Sequence, residues 1–143
     1  KNWVLAAVNG DHQDPEDWTP TLAWTTATPE GMTITAKKLV TGKKCDWWIH
    51  IISSDPGNGG GKIDTIAFPT GMQPADVGTG INFPVYGFHR KDTGAADTWT
   101  DIQARLDVAA AAGADRKVYV KNGVVWADNE GTELFLAGSH YLP

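Results

Sequence analysis

Short runs of alternating apolar and polar positions recur along the chain. Residues 32–40, MTITAKKLV, put Met32, Ile34 and Ala36 on one side and Thr33, Thr35 and Lys37 on the other. That period of two is the pattern of a strand with one buried face. TGKK (41–44) then predicts a hairpin turn onto CDWWIHII (45–52). Further strands are predicted over 2–8 (NWVLAAV), 21–28 (TLAWTTAT), 63–68 (IDTIAF) and 132–142 (TELFLAGSHYL). INFPVYGFH (81–89) is a strand interrupted by Pro84, which predicts an edge or a bulge, because proline cannot donate to a ladder.

Residues 98–113, TWTDIQARLDVAAAAG, change character. Ile102, Leu106, Ala109 and Ala110 form one stripe at helical spacing, and Thr98 with Asp101 matches a capping box. Gly113 suits a helix C-terminus. An amphipathic helix is therefore predicted over about 98–112, followed by a C-terminal hairpin turning at Asn122-Gly123. The expected fold class is mainly β: an antiparallel β-sandwich or barrel with that helix and that hairpin. Residues 1–91 would form the β-rich domain, and 92–143 the helix and hairpin, packed separately or on the same core.

The strand 45–52 poses the main functional question. Consecutive side chains on a strand point to opposite faces. Cys45, Trp47, Ile49 and Ile51 are uniformly apolar and belong to the core, so Asp46, Trp48, His50 and Ile52 face outward. Three readings of Trp48 stand open. A loop of the same chain, such as the one carrying Trp18, could cover it. It could anchor a subunit interface, where tryptophan is favoured. It could also stack on a sugar while Asp46 and His50 bond to hydroxyls. The candidate ligand or interface residues are Trp48, His50 and Asp46, with Trp18 and Trp24 as neighbours.

Composition narrows the function classes. The 143 residues carry seven tryptophans, 16 glycines and 8 prolines, as expected of a turn-rich β protein that presents aromatic surface. Net charge is -5 without a basic cluster, which argues against nucleic acid. No apolar run is long enough for a membrane-spanning helix. The single cysteine, Cys45, excludes an internal disulfide framework and reads as a buried, inert thiol. The chain opens on Lys1 rather than Met, which suggests a processed product or a fragment.

The other motifs read as structure. The acidic run GDHQDPED (10–17) lacks the spacing of a calcium loop. GNGGGK (57–62) has neither the first glycine nor the following Ser/Thr of a phosphate loop. DTGA (92–95) matches the core of the aspartic-protease motif but reads as a turn, since HRK precedes it rather than an apolar strand. The histidines at 12, 50, 89 and 140 are scattered, so no catalytic residues, metal or cofactor are assigned.

One segment carries a family likeness. In DTWTDIQARLDVAAAAGADRKVYVKNG (97–123), residues Asp97, Thr98, Ile102, Gln103, Leu106, Asp107 and Ala109, then Gly113, Val118, Tyr119, Val120 and Gly123, follow one pattern. The segment resembles the entry of pectate-lyase-like right-handed β-helix proteins, which include many bacteriophage tailspikes. The resemblance implies a helix capping the solenoid and VYV in its first rung. It also implies a homo-oligomer, with a trimer favoured, among other virion proteins. Departures are Asp101 for the usual alanine, GADRK for the glycine pair, and Asn122 near the usual proline.

The function expected on these grounds is a non-catalytic structural or recognition module of an exposed assembly, foremost a phage virion protein of the tail fibre, tailspike or capsid-associated kind. It would sit on a virion or extracellular surface. The alternatives are a stand-alone carbohydrate-binding module and an N-terminal fragment of a polysaccharide-degrading β-helix enzyme.

Overall fold

The computed structural model describes residues 14–26, 28–54, 61–76, 82–108, 116–123, 125–126 and 131–143. Their strands are β1 (Glu16–Asp17), β2 (Thr21–Trp24), β3 (Thr33–Thr41), β4 (Lys44–Ser53), β5 (Ile63–Ala67), β6 (Asn82–Asp92), β7 (Asp97–Asp101), β8 (Ala104–Asp107), β9 (Val118–Val120) and β10 (Gly131–Tyr141). The fold is mainly β and antiparallel, a sheet curled into a half-barrel. The predicted first strand at 2–8 lies outside the described residues.

The sheet runs β1-β3-β4-β10-β6-β8-β9-β5-β2, with β7 paired to β6. Eight strand spacings in a flat sheet would separate β1 from β2 by about 38 Å. Yet only Trp18, Thr19 and Pro20 join Asp17 to Thr21, a reach of at most about 14 Å. The sheet must therefore curl until its two ends approach. Trp18 fills the seam. It is buried, its backbone N–H donates to the Ala36 carbonyl at 3.1 Å, and its Nε1 donates to the Lys37 carbonyl at 3.0 Å. Its ring stacks on Phe68 from the β5 side at 5.4 Å and meets Trp47 edge-on at 6.1 Å.

The β3–β4 hairpin forms where TGKK predicts it. Thr41 faces Lys44 across a two-residue turn, with Gly42 at φ 61°, a region closed to most side chains. The C-terminal strand β10 inserts between β4 and β6, and so makes the centre of the sheet from distant sequence. Pro84 stands in the half of β6 that pairs with β8 alone, beyond the last β10 partner at Tyr86. Its missing N–H breaks no second ladder.

The predicted helix is corrected. Residues 97–101 and 104–107 are strands β7 and β8, and no described residue of 98–108 is helical. One register joins them to β6: Asp92 faces Asp97, Phe88 faces Asp101, and Val85 faces Ala104. The reason is a pattern that serves two periods. Ile102 and Leu106 fit a helix, but Ile102, Ala104, Leu106 and Val108 also alternate with Gln103, Arg105 and Asp107. The neighbouring β6 supplies a ladder, which a lone helix would not find. Residues 109–115 lie outside the described set. The capping helix implied by the β-helix resemblance is thus absent from the described part of that segment.

The C-terminal hairpin at Asn122-Gly123 is not formed by the described residues either. β9 pairs with β5 and β8, and Trp126 then bridges Gly61 further along the same line. Asn122-Gly123 is a kink in a continuing path. Asn122 bonds back to β7–β8, its Nδ2 donating to the Asp101 carbonyl at 2.9 Å and its Oδ1 accepting from the Gln103 N–H at 2.6 Å. DTGA forms the turn between β6 and β7, where Asp92 Oδ1 accepts from the Gly94 N–H at 2.8 Å. Strands on both sides of residue 92 share one sheet and one buried cluster.

Candidate ligand groove on the outer face

Strand β4 separates its two tryptophans as its pleat requires. Cys45, Trp47, Ile49 and Ile51 are buried, while Asp46, Trp48 and His50 are half-buried and Ile52 is exposed. On the inner side the polar edge of Trp47 is satisfied by a relay. Its Nε1 donates to His140 Nδ1 at 3.1 Å, and His140 Nε2 donates to the Met72 carbonyl at 2.8 Å. An indole N–H can only donate, so His140 is the neutral Nε2–H tautomer. Burial holds its pKa below the ordinary value, although the bond to Met72 pulls the other way. Burial likewise pushes the Cys45 thiol up to about 11, against Lys38 and with Asp46, so it stays protonated and unreactive.

Outward, Trp48 begins a line of rings across four strands. It stacks on Phe135 of β10 at 6.4 Å, Phe135 on Phe88 of β6 at 5.9 Å, and Phe88 meets Trp99 of β7 at 5.1 Å. A polar line runs beside it. His50 Nε2 donates to Glu133 Oε1 at 2.8 Å, and Arg90 bonds to Glu133 Oε2 at 3.3 Å and to Asp97 at 3.2 Å. The His50 bond, followed by Arg90, holds the Glu133 carboxyl below its usual range. The Arg90 guanidinium also lies 5.8 Å from the centre of the Trp99 ring.

At the other end of Trp48 the face opens into a groove of about 620 Å³. Trp48 and Tyr86 line it, with Asp46, Ser139, Lys38 and Pro84 around them. The register explains the meeting. Trp48 on β4 faces Ala137 on β10, and Ala137 faces Tyr86 on β6. The next rung pairs Asp46 with Ser139, and Ser139 Oγ donates to Asp46 Oδ1. Gly138 lies between these rungs on the inner side, where a Cβ would come within 2.6 Å of the Trp47 ring. A side chain there would displace Trp47, and the floor of the groove would shift with it.

Of the residues singled out by sequence, Trp48 and Asp46 share this groove. His50 is on the same face one rung away, engaged with Glu133. Trp18 is in the seam of the core and covers nothing on the outer face. Trp24 is half-buried on β2, edge-on to Trp126 at 5.6 Å, and six strands along the sheet from β4. Sequence reasoning missed Tyr86 and Ser139. The signal for Tyr86 was its alternation with buried Val85, and for Ser139 its place between Gly138 and buried His140.

In the acidic run, Glu16 and Asp17 face Lys38 at 3.8 Å and Lys37 at 2.7 Å; Asp11 and His12 lie outside the described residues, as does most of GNGGGK. Among the described residues no group of three or more His, Cys, Asp or Glu side chains is disposed to hold a metal. No described helix is long and apolar enough to cross a membrane. Comparison with known protein families, curated proteins and solved structures found no match.

Proposed function

We propose that this chain is a non-catalytic recognition module, carried on the exposed part of an assembly such as a phage virion, that binds a glycan in the groove beside Trp48. The observation that carries this reading is the pairing of two partly exposed rings, Trp48 and Tyr86, with the Asp46–Ser139 hydrogen-bonding edge in one groove. Aromatic faces take the apolar face of a sugar, and a carboxylate accepts from its hydroxyls. The groove falls within the size range of small-ligand sites.

The non-catalytic reading draws on the state of the reactive side chains. His140 has both ring nitrogens committed, His89 is buried, His50 is tied to Glu133, and Cys45 is buried. The placement in a virion draws on the sequence resemblance of residues 97–123 alone, whose implied capping helix the described residues do not form. A contact between copies, with a homotrimer favoured, is a second use of the same face. Trp99 at 59% and Ile52 at 42% exposure favour it, since exposed apolar patches mark interaction surfaces.

A glycan array probed with the purified chain, with light scattering for its mass, tests both. Binding that Trp48→Ala reduces at least tenfold, without loss of folding, supports the module. An array with no hits removes the glycan reading, and a monomer at all concentrations removes the trimer.

A further inference from the structure

We infer that the ligand of this groove is an uncharged, extended oligosaccharide that lies across the strands and engages Trp48 and Tyr86 together; this rests on the glycan reading above. The two residues occupy one rung, separated only by Ala137 on the intervening strand. Two strand spacings put their backbones about 10 Å apart. Ala137 offers only a methyl group between them, so the gap is a low floor flanked by two aromatic residues. One sugar ring can cover one of them. Two or more linked sugars are needed to reach both, and the groove of about 620 Å³ has room for them.

The polar edge decides the charge of the ligand. Ser139 Oγ and Lys44 Nζ both address Asp46 Oδ1, the latter at 3.4 Å. A carboxylate has about four lone-pair sites, so Asp46 keeps capacity to accept from a sugar hydroxyl as well. With Lys44 paired to Asp46 the edge is close to neutral, so a carboxylate or sulfate on the ligand gains no free cation there. The cations on the Trp48 side of β3 and β4 are already paired, Lys37 with Asp17 at 2.7 Å and Lys44 with Asp46 at 3.4 Å, while Lys38 stands opposite the inward-facing Trp47. Sequence alone could not suggest this, because Trp48, Tyr86 and Ser139 come from three strands distant in the chain.

The test is isothermal titration of the full chain with neutral oligosaccharides from mono- to hexasaccharide, namely gluco-, manno- and N-acetylglucosamine series. Oligouronates and a sialylated trisaccharide form the acidic arm. The expected result is affinity that rises at least tenfold from mono- to trisaccharide in a neutral series. Trp48→Ala and Tyr86→Ala should each lower trisaccharide affinity about tenfold or more, with thermal melts showing that both variants fold. Asp46→Asn should narrow the gap between neutral and acidic ligands. Three results overturn the inference while leaving glycan binding intact: a monosaccharide binding as tightly as its oligomers, a preference for the acidic arm, or Tyr86→Ala leaving affinity unchanged. Silence across both arms overturns the glycan reading itself.

Discussion

The inner and outer faces of the β4–β10–β6 sheet are made from neighbouring residues and have opposite characters. Trp47 faces inward, nearly sealed from solvent, with its N–H bonded and its ring against Trp18 and Phe68. Trp48, one residue on, has a ring partner on one side and a groove beside it. The inner face is closed by packing. The outer face is held together by rows of cross-strand pairs whose ends, Tyr86 and Trp99, are left to solvent. Such pairs contribute about 0.2–1 kcal/mol each, far less than a core ring, so the outer face can be specialised for contact at little cost in stability.

The sharpest test of that contrast is truncation of the two tryptophans. Trp47→Ala should destabilise by about 3–5 kcal/mol, because it leaves a cavity and strands His140 Nδ1. A urea midpoint within error of the parent would show that the inner face is not the stabilising one.

Acid should act on the inner face next. Burial, with Lys91 adding repulsion, lowers the His89 pKa to about 4 from an ordinary 6.5, and His140 is shifted the same way. Below pH 6.5 the unfolded chain binds these protons while the native state does not. Stability is therefore whole above about pH 6.5 and falls between there and about pH 4. His89 alone accounts for about 3 kcal/mol. Both of its ring nitrogens lack a hydrogen-bond partner among the described residues, so His89→Leu should flatten the pH dependence without lowering neutral-pH stability. Urea titrations at several pH values read this directly; equal midpoints at pH 7 and 4.5 in the parent chain would contradict it.

Trp48→Ala should cost about 1–2 kcal/mol, one aromatic pair plus part of the burial of a half-exposed ring, and so less than Trp47→Ala. Its melting temperature should fall by a few degrees, while the glycan binding proposed above should weaken at least tenfold. A loss as large as that of Trp47→Ala would dissolve the distinction between the faces. Smallest of all, Glu133→Gln should cost under about 1 kcal/mol, since its partners His50 and Arg90 are partly exposed and screened. A salt series should show that small difference shrinking further.

Much of the fold could be read from alternation. β3, the Gly42 turn, β4, β5 and β10 stand where the pattern puts them, and Trp47 and Trp48 diverge as the pleat demands. The stretch 98–108 could not be read in this way, because its apolar residues satisfy a helical and a strand period together. Asn122-Gly123 looked like a turn because that dipeptide usually makes one; here the side chain of Asn122 is spent on bridging β7 to β8. Trp18 reads from sequence as a loop residue beside Trp48, and is core only because the two ends of the sheet meet there.

The period of the chain, then, was enough to settle which side of β4 each residue takes, since that depends only on the local geometry of an extended backbone. It could not settle what stands beside Trp48. The groove needs Tyr86 and Ser139 brought in by β6 and β10, and the order of strands follows from long-range pairing and the closure of the curl. Those depend on how the whole apolar surface is buried at once, a property that no single stretch of residues carries.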